Sequence, residues 1–468
     1  MKTSKVLLVN PSWREITYLK TNIKVATLSH PILSLPTIAA PLVDAGHNVK
    51  IFDMDIHDTP RERLKEIIRH FNPEYVGITG TTPFAHKMVS ISKIVKEINR
   101  DIVVVVGGVH ATTIPDDFLK EDTVDIVVIG EGDFTLRDIV DTDDLHKVKG
   151  IMFKVAHNTI FTGPRSLLDN LDELPFPAWD LVEHKERYCN SYILSRKNPV
   201  GPIETSRGCP WHCCYCNKTI FKHRFRPKSV TRVVDEMVYM LQSGFNEIHV
   251  QDDNFSTDMD RAKQICDEII RRGVAFPWML MNGIRVNCVD LELFEKLKMA
   301  GCYLVGFGIE SGSQEVLDDV NKGITLDMVR NAVTLARKVG VESYGFFMLG
   351  LPKDTEETMQ QTIDFAKELN LDVAKFDITI PYPGTRLFDE WDRRGLIKSK
   401  NWRDYIHHQD EYRIYNHPHL SWDTLRKYYK KAFREYYIRP RYILMRFKRS
   451  IYHGEVLKDI KAFFQTQW

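Results

Sequence analysis

Four cysteines lie within eight positions of the chain, in the stretch RGCPWHCCYCNK. Three of them, Cys209, Cys213 and Cys216, have the spacing C-x3-C-x2-C. Three thiolates can hold a [4Fe–4S] cluster and leave its fourth iron open to a small molecule, whereas a structural cluster normally takes a fourth cysteine. The spacing therefore predicts an iron–sulfur site at these three residues.

The other thiols have a different expected role. Cys214 is adjacent to Cys213, and neighbouring side chains of a short loop do not easily reach the same face of one cluster, so we interpret Cys214 as a bystander. A zinc site with His212 or Cys214 as fourth ligand is the alternative. The remaining cysteines are scattered, as is typical of small buried hydrophobic residues: Cys189, Cys266, Cys288 and Cys302.

The composition is that of a globular chain, with 468 residues, 43% apolar residues, 27% charged residues and a formal net charge of +1. This length favours two or three domains. The near-zero charge gives no overall attraction to nucleic acid, and no apolar run is long enough to cross a bilayer. The apolar stretch in MKTSKVLLVNPSW is too short for a signal peptide and is better interpreted as a strand, so we expect a cytoplasmic protein.

Residues 1–145 alternate strand and helix patterns. Continuous Val and Ile runs such as DIVVVVGG (101–108) are typical of strands covered on both faces. Five such strands predict an α/β domain with a flavodoxin-like, doubly wound parallel sheet, which binds ligands at the carboxyl ends of its strands. Small residues there allow close approach of a bulky ligand, although tight turns alone would also explain the glycines. The candidate residues at these ends are Asn10, Thr81, Gly107, Gly108, Gly130 and Glu131.

A second strand–helix series follows a Pro-interrupted acidic connection, which we place at 146–200. Six strand–helix units over 201–395 predict a partial (β/α)6 TIM-type barrel, with its chemistry at the carboxyl ends of the strands. The cysteine loop comes directly after the first of these strands, PIETS (202–206), and therefore lies at that edge. Residues 396–468 lose this rhythm and are expected to form a helical tail.

These motifs together resemble the radical S-adenosylmethionine enzymes. The cysteine loop, QDDNFS (251–256), GFGIESGS (306–313) and YGFFMLGLPKDTEET (344–358) are similar to motifs of that family and occur in the same order. The resemblance implies contacts with three parts of S-adenosylmethionine. These are the adenine for Tyr215, the methionine amino group for Asp252 and Asp253, and the ribose for Glu310 and Ser311.

Arg285, in NGIRVN, resembles a further family position and would pair with a carboxylate, unless it forms a structural salt bridge. The resemblance also implies the chemistry. The open iron chelates S-adenosylmethionine, a one-electron reductant protein supplies the electron, and cleavage gives a 5′-deoxyadenosyl radical that abstracts hydrogen from an unactivated C–H bond. The cofactor carries out this step, so no catalytic residue is assigned beyond the cluster ligands.

A flavodoxin-like domain before this barrel resembles the class of the family that has an amino-terminal cobalamin-binding domain, over residues 4–395. The resemblance implies cobalamin between the carboxyl edge of the sheet and the barrel. DMDIHDTP (53–60) is superficially similar to the D-x-H-x-x-G signature that supplies an axial histidine, but Pro60 replaces the glycine. We do not expect His57 to bind cobalt, and a chain that keeps the domain without cobalamin is an alternative.

The segment from Leu425 to Ser450 has ten Lys or Arg residues and one acidic residue, Glu435. The favoured interpretation is a solvated helix whose apolar side packs on the barrel, interrupted at Pro440. The alternative is a helix at a membrane surface, which would suit a lipid-like or large planar substrate. Nucleic-acid binding is not expected, because no readout motif accompanies the charge.

We predict an enzyme that acts on a small molecule. Cobalamin-dependent methylation of an unactivated carbon (or phosphorus) centre is favoured, on the breadth of such reactions in the class that the chain resembles. Non-methylating radical cyclisation or ring rearrangement of a large hydrophobic substrate, with or without cobalamin, is the alternative. A non-catalytic iron–sulfur or cobalamin sensor would lack an intact S-adenosylmethionine site, and the motifs at 251–256 and 306–313 argue against it.

Overall fold

The structure is a computed structural model that describes residues 3–12, 31–156, 158–188, 190, 194–406, 414–454 and 456–457. Cys189, which we expect to be a small buried residue, lies outside the described residues. Two mainly parallel sheets and their helices make up most of the described chain.

The first sheet has seven strands: β1 (Lys5–Asn10), β2 (Asn48–Asp53), β3 (Tyr75–Thr79), β4 (Val103–Gly107), β5 (Ile126–Val128), β6 (Ile151–Val155) and β7 (Asn158–Phe161). Their spatial order is β2-β1-β3-β4-β5-β6-β7. The strands from β2 to β5 are parallel, and the order 2-1-3-4-5 is the flavodoxin-like order. The predicted doubly wound sheet is confirmed.

Two apolar layers hold the helices against this sheet. Alternate residues of β1 enter opposite layers, Leu7 and Val9 on one face and Val6 and Leu8 on the other. A strand buried on both faces requires such a continuous apolar run. The helices of this domain are α1 (Ser34–Asp44), α2 (Pro60–Phe71), α3 (Ala85–Ile98), α4 (Val109–Thr113), α5 (Asp116–Leu119) and α6 (Asp133–Asp141).

The first sheet extends past the predicted domain boundary at residue 145. β6 and β7 form an antiparallel hairpin that joins the edge of the sheet, where Ile151 lies opposite Val128 of β5. Part of the predicted 146–200 connection therefore belongs to the first domain. This hairpin has no clear sequence signal, because its strands, IMFKV and NTIF, are short and carry no strong alternation.

Eight strands follow: β8 (Val200–Ile203), β9 (Ser206–Arg207), β10 (Arg226–Pro227), β11 (Glu247–Val250), β12 (Trp278–Ile284), β13 (Cys302–Glu310), β14 (Glu342–Leu349) and β15 (Val373–Ile378). The second sheet contains β8 and β11 to β15, all parallel and in chain order, which is the arrangement that the six predicted β/α units require. Its helices are α7 (Val230–Gln242), α8 (Met259–Arg271), α9 (Leu291–Met299), α10 (Gln314–Asp319), α11 (Leu326–Val339), α12 (Glu356–Leu369) and α13 (Arg386–Arg393).

The carboxy-terminal region forms two helices, α14 (Trp422–Tyr437) and α15 (Pro440–His453). Leu425, Ala432 and Tyr436 of α14 are buried in the same apolar core as the second sheet. α15 begins at Pro440, because proline fits the first turn of a helix. Among the described residues of 396–468, the predicted helical tail is confirmed over Trp422–Tyr437 and Pro440–His453, and α14 packs its apolar side on the second domain.

A cluster of buried charges joins the two domains. Arg207 of β9 donates to both carboxylate oxygens of Asp133, at 2.8 and 3.0 Å, and to Glu131, at 2.9 Å. Arg226, opposite Arg207 in β10, donates to both oxygens of Glu131, at 2.7 and 3.1 Å. Nε of Arg207 also donates to Glu204 at 2.7 Å. Because Glu131 and Asp133 belong to the first domain, these contacts fix the start of the cysteine loop to that domain.

Burial and the neighbouring arginines shift the pKa values of the carboxyl groups in this cluster in opposite directions. Burial disfavours the charged form of Asp133, yet its pKa stays below the ordinary value because the Arg207 guanidinium lies beside it. The pKa of Glu204 is raised by burial, which Arg207 offsets only in part. Three carboxylates share two guanidinium groups, so the cluster depends on both arginines.

We expect Arg207→Met to destabilise the protein by about 3–5 kcal/mol, because Asp133 and Glu131 would remain buried with too little positive charge. Urea unfolding followed by circular dichroism measures the change. Arg330→Met is the matched control, since Arg330 pairs with Glu368 at the surface, where an ion pair contributes about 0–1 kcal/mol. Equal effects of the two substitutions would show that the buried cluster does not hold the domains together.

Candidate functional site

The cysteine loop is closed at its base by the short strands β9 and β10. Gly208 begins the loop with a φ of +81°, and a Cβ at this position would lie 2.1 Å from the carbonyl oxygen of Arg224. Only glycine fits this crossing of two backbones. The loop therefore leaves the carboxyl edge of the second sheet with a fixed base.

Cys209, Cys213 and Cys216 have free, half-buried thiols in this loop. The N–H of Cys216 donates to the carbonyl of Cys213 at 3.2 Å, so these two lie in one tight turn. Burial raises the pKa of the Cys216 thiol, and Lys218 partly offsets that shift. Across the described ranges, no three His, Cys, Asp or Glu side chains converge on a point that one ion could occupy. A [4Fe–4S] cluster binds each thiolate to a different iron.

Cys214 is separated from the other three thiols by its burial. Its side chain belongs to the apolar core of the second domain. Its N–H donates to the carbonyl of Val320 at 3.0 Å, and its carbonyl accepts the N–H of Leu387 at 2.9 Å. Burial raises the pKa of the thiol to about 11. This environment supports the bystander interpretation.

The two aspartates that follow β11 have different surroundings. The buried carboxylate of Asp252 accepts three hydrogen bonds of 2.6 Å, from the N–H and Oγ1 of Thr205 and from Oγ of Ser206. Asp252 therefore fastens the segment before the cysteine loop, and a contact with the methionine amino group would have to share an oxygen that is already bonded. Asp253 is exposed, and its Oδ2 accepts the N–H of Gly208 at 3.0 Å. Its carboxylate lies beside the loop and is open to a ligand.

Tyr215 and Glu310 meet at a residue that the sequence motifs did not indicate, Lys322. Nζ of Lys322 donates to Oε1 of Glu310 at 2.7 Å and to the hydroxyl of Tyr215 at 3.3 Å. Glu310 has a φ of +69°, which is rare for a residue with a side chain. Gly308 leaves room for the pair, because a Cβ there would lie 2.8 Å from Glu310 Oε1 and 2.9 Å from Lys322 Nζ. The local sequence, NKG (321–323), has no pattern that could have identified this lysine.

Ser311 connects the end of β13 to α12. Its hydroxyl oxygen lies 3.2 Å from Oγ1 of Thr362 and accepts the N–H of Ser313 at 3.1 Å. The next residue, Gly312, presses on the helix, because a Cβ there would lie 2.5 Å from the carbonyl oxygen of Gln361. The expected ribose contact would come from a hydroxyl that already has two partners.

Arg285 is buried beside the cysteine loop. Its guanidinium lies 4.4 Å from the ring centre of Trp211, donates from Nε to Asn287 at 2.9 Å and donates from Nη2 to the carbonyl of Lys322. Within the described residues Arg285 forms no salt bridge with a protein carboxylate, and its pairing with a carboxylate of S-adenosylmethionine stays a prediction. In the protein alone, Arg285 braces the loop through stacking on Trp211 and a backbone contact.

A cavity of about 400 Å³ lies between the carboxyl edge of the first sheet and the second domain. Its walls include Gly107, Gly108 and Gly130 of the first domain, Gln251 at the edge of the second sheet, and Ile220 and Phe221 of the cysteine loop. Gly130 has a φ of +89°, and the position of its missing Cβ is empty space. The absence of a side chain at Gly130 therefore leaves part of the cavity open.

The remaining candidates at this edge are placed differently. Thr81 is exposed and Asn10 is buried, and neither is part of the cavity wall. Asn10 donates from Nδ2 to Asp53 at 2.8 Å. Glu131 does line the cavity, but both oxygens of its carboxylate are bonded within the buried charge cluster. His57, not expected to bind cobalt, is also absent from the wall.

Alternate residues of β14 and β15 are half-buried, while those between them are buried in the outer core. The half-buried set includes Phe346 and Met348 on β14 and Lys375 and Asp377 on β15. Nζ of Lys375 lies 3.2 Å from Oδ2 of Asp377. Because side chains alternate across a strand, these residues face the inside of the second domain and provide an apolar wall with one charged pair.

Comparisons with known proteins agree with this layout. The family model of the radical SAM superfamily matches residues 203–366, and that of the B12 binding domain matches residues 19–140. An uncharacterized methyltransferase of Pyrococcus horikoshii is 34% identical over 467 residues, which cover 98% of this chain and 97% of the relative. The anaerobic magnesium-protoporphyrin IX monomethyl ester cyclase of Rubrivivax gelatinosus is 30% identical over 75% of this chain and 65% of the relative.

The methyltransferase TsrM of Kitasatospora setae, solved with cobalamin and a [4Fe–4S] cluster bound, has the same fold, with a TM-score of 0.68 and 22% identity over 85% of this chain and 76% of its own. A three-cysteine loop that borders the cavity of a flavodoxin-like domain defines a radical enzyme with a corrinoid-binding domain. The chain belongs to the radical S-adenosylmethionine superfamily, in the class that has a B12-binding domain.

The cofactors of this class are a [4Fe–4S] cluster, S-adenosylmethionine and cobalamin, and the residues present fit them. Three free thiols lie in one loop of fixed base, beside the open carboxylate of Asp253. The cavity with the empty position at Gly130 suits a bulky ligand held mainly by backbone. The thiols suit the cluster, the carboxylate suits S-adenosylmethionine, and the cavity suits cobalamin.

We expect Cys213→Ala to abolish the iron–sulfur absorbance of the reconstituted protein, because two thiolates do not hold the cluster. Cys214→Ala should keep the absorbance and the iron content, and should lower stability by only about 1 kcal/mol through the loss of a small buried group. Anaerobic reconstitution with iron and sulfide analysis measures both variants. Loss of the cluster in Cys214→Ala with retention in Cys213→Ala would mean that the two roles are reversed.

Proposed function

We propose that the protein transfers a methyl group to an unactivated carbon or phosphorus centre of a small molecule, with cobalamin as methyl carrier. The shared cavity is the observation that carries this proposal. Glycines of the flavodoxin-like domain and two residues of the cysteine loop, Ile220 and Phe221, line the same space. A group bound to the first domain would therefore face the loop of the cluster. The methyltransferases among the similar proteins support the same choice.

When bound, the cluster supplies the electron that cleaves S-adenosylmethionine to a 5′-deoxyadenosyl radical, and cobalamin carries the methyl group. The roles proposed for the chain are cluster ligation by Cys209, Cys213 and Cys216, S-adenosylmethionine binding by Tyr215, Asp253, Glu310 and Lys322, and cobalamin binding by Gly107, Gly108 and Gly130. A carboxylate such as that of Glu310 can accept hydrogen bonds from ribose hydroxyls, and Lys322 neutralises it in the protein alone.

Three motif residues are proposed to support the site through contacts within the protein. Asp252 holds the segment before the loop, Ser311 holds the turn after β13 against α12, and Arg285 braces Trp211. Each is buried and bonded to protein groups. They would orient the ligand-binding residues by restricting the backbone, which is how a site reaches the geometry that radical chemistry requires.

The inward-facing residues of β14 and β15 support a methyl acceptor with an apolar body and a polar end. Phe346 and Met348 would pack against the body, and the Lys375–Asp377 pair would bind the polar end. A lipid-like or large planar acceptor is part of this proposal, and a peripheral contact of the carboxy-terminal region with a membrane is a separate expectation.

Two further expectations concern the surroundings of the protein. A one-electron reductant protein would donate electrons to the cluster, as the family requires. Within the described part of the chain, no helix is both long enough and apolar enough to span a bilayer. We propose a cytoplasmic location.

Radical cyclisation or ring rearrangement is the second candidate function. The cyclase of Rubrivivax gelatinosus aligns with 75% of this chain. The same loop and the same cavity would serve either reaction, because hydrogen abstraction is common to both. The two differ in whether the substrate gains a methyl group.

The two functions predict different products from anaerobically reconstituted protein given hydroxocobalamin, reductant and S-adenosylmethionine. We expect both 5′-deoxyadenosine and S-adenosylhomocysteine, because methyl transfer consumes one S-adenosylmethionine for the radical and one for the methyl group. Mass spectrometry quantifies both, with Cys213→Ala as the control that should form no 5′-deoxyadenosine. 5′-Deoxyadenosine alone in the presence of cobalamin would overturn methyl transfer in favour of cyclisation or rearrangement.

A further inference from the structure

α15 is attached to the second domain by its aromatic and polar side. Tyr442 is buried, and its hydroxyl donates to the carbonyl of Asp372 at 3.0 Å. Arg449 donates to the carboxylate of Asp372 at 3.2 Å and to Glu342. Glu342 begins β14 and Asp372 immediately precedes β15, so α15 lies at the amino ends of these strands, opposite to the edge that carries the cysteine loop.

The apolar side of α15 faces outward. Ile443, Phe447 and Ile451 recur every four residues and so form one row along the helix, with Leu444 beside it. Their exposed fractions are 47%, 52%, 58% and, for Leu444, 56%. This arrangement corrects the favoured sequence interpretation, in which the apolar side of the whole tail packs on the barrel. α14 meets that expectation. In α15, the side that faces the domain instead carries Tyr442 and Arg449, which bond to Asp372 and Glu342.

Cationic side chains border this apolar row. α15 contains no acidic residue. Arg441 and Lys448, seven positions apart, are exposed along one edge of the row, and the half-buried Arg446 lies on the other edge. An apolar centre between cationic edges is complementary to a bilayer surface, where anionic headgroups lie above acyl chains.

We propose that the outer face of α15, formed by Ile443, Leu444, Phe447, Lys448 and Ile451, docks on an anionic lipid bilayer. The helix would lie in the plane of the membrane with its apolar row at the boundary between headgroups and acyl chains. A second copy of the chain fits this face less well, because a two-fold contact would bring the cationic edges of two helices together. Docking here holds the cysteine-loop edge away from the bilayer, so the contact tethers the protein and is independent of the substrate proposed above.

Vesicle sedimentation of the full chain tests the proposal. Vesicles of phosphatidylcholine with phosphatidylglycerol should bind the protein, and phosphatidylcholine alone should bind it at least about tenfold more weakly, because two exposed cations contribute. The double substitution Phe447→Glu and Ile451→Glu should lower the affinity for anionic vesicles roughly a hundredfold through the loss of two apolar contacts. Met299→Glu is the matched control, since Met299 is 71% exposed at the end of α9, and it should bind like the unaltered protein.

Thermal unfolding midpoints verify that the variants are folded. If the apolar double variant is not, Arg441→Glu with Lys448→Glu replaces it and should remove the preference for phosphatidylglycerol while leaving the apolar row intact. Equal binding to both vesicle types, or equal binding of the double variant and Met299→Glu, would overturn the proposal. A dimer by light scattering that becomes a monomer in the double variant would also overturn it and would identify a second copy of the chain as the occupant.

Discussion

The structure depends on the buried charge cluster of Arg207 and Arg226 with Glu131 and Asp133. Buried ion pairs add little net stability compared with apolar packing, but an unpaired buried charge is strongly unfavourable. A shift of one domain against the other would leave carboxylates of the first domain without their guanidinium partners. Because Arg207 lies two residues before Cys209, the constraint that fixes the domains also fixes the cysteine loop over the cavity that both domains line.

The site divides its motif residues into those that are satisfied within the protein and those that keep capacity for a ligand. Asp252 and Ser311 form hydrogen bonds with neighbouring segments and so restrict the backbone. Asp253 presents its carboxylate beside the loop, and Glu310 is held by Lys322 in a strained conformation. Such strain persists only where the surrounding structure enforces it, and it is common at binding sites. A motif match therefore does not by itself distinguish a ligand contact from a support.

The two ends of the second domain are specialised differently. The carboxyl ends of its strands carry the cysteine loop and the polar residues of the site, as parallel β/α folds generally do. At the amino ends, Glu342 and Asp372 attract Arg449 and Tyr442, and this contact decides which side of α15 is turned to solvent. Because the polar side of α15 bonds to the domain, its apolar side is left exposed to solvent. The cysteine loop and α15 are therefore separated by the length of the strands.

The sequence by itself determined the doubly wound sheet and the six β/α units, and it predicted the three cluster cysteines, because apolar periodicity and close spacing are local properties of a chain. Only the tertiary structure decided which residues bond to Glu131 and Asp252, and that Lys322 lies beside Glu310. It also decided which side of α15 faces outward. These arrangements depend on contacts between residues distant in the chain, such as Glu131 and Arg207, whose charges carry no periodic signal. The sequence names the groups that can do chemistry, and folding decides which of them are already bonded to each other.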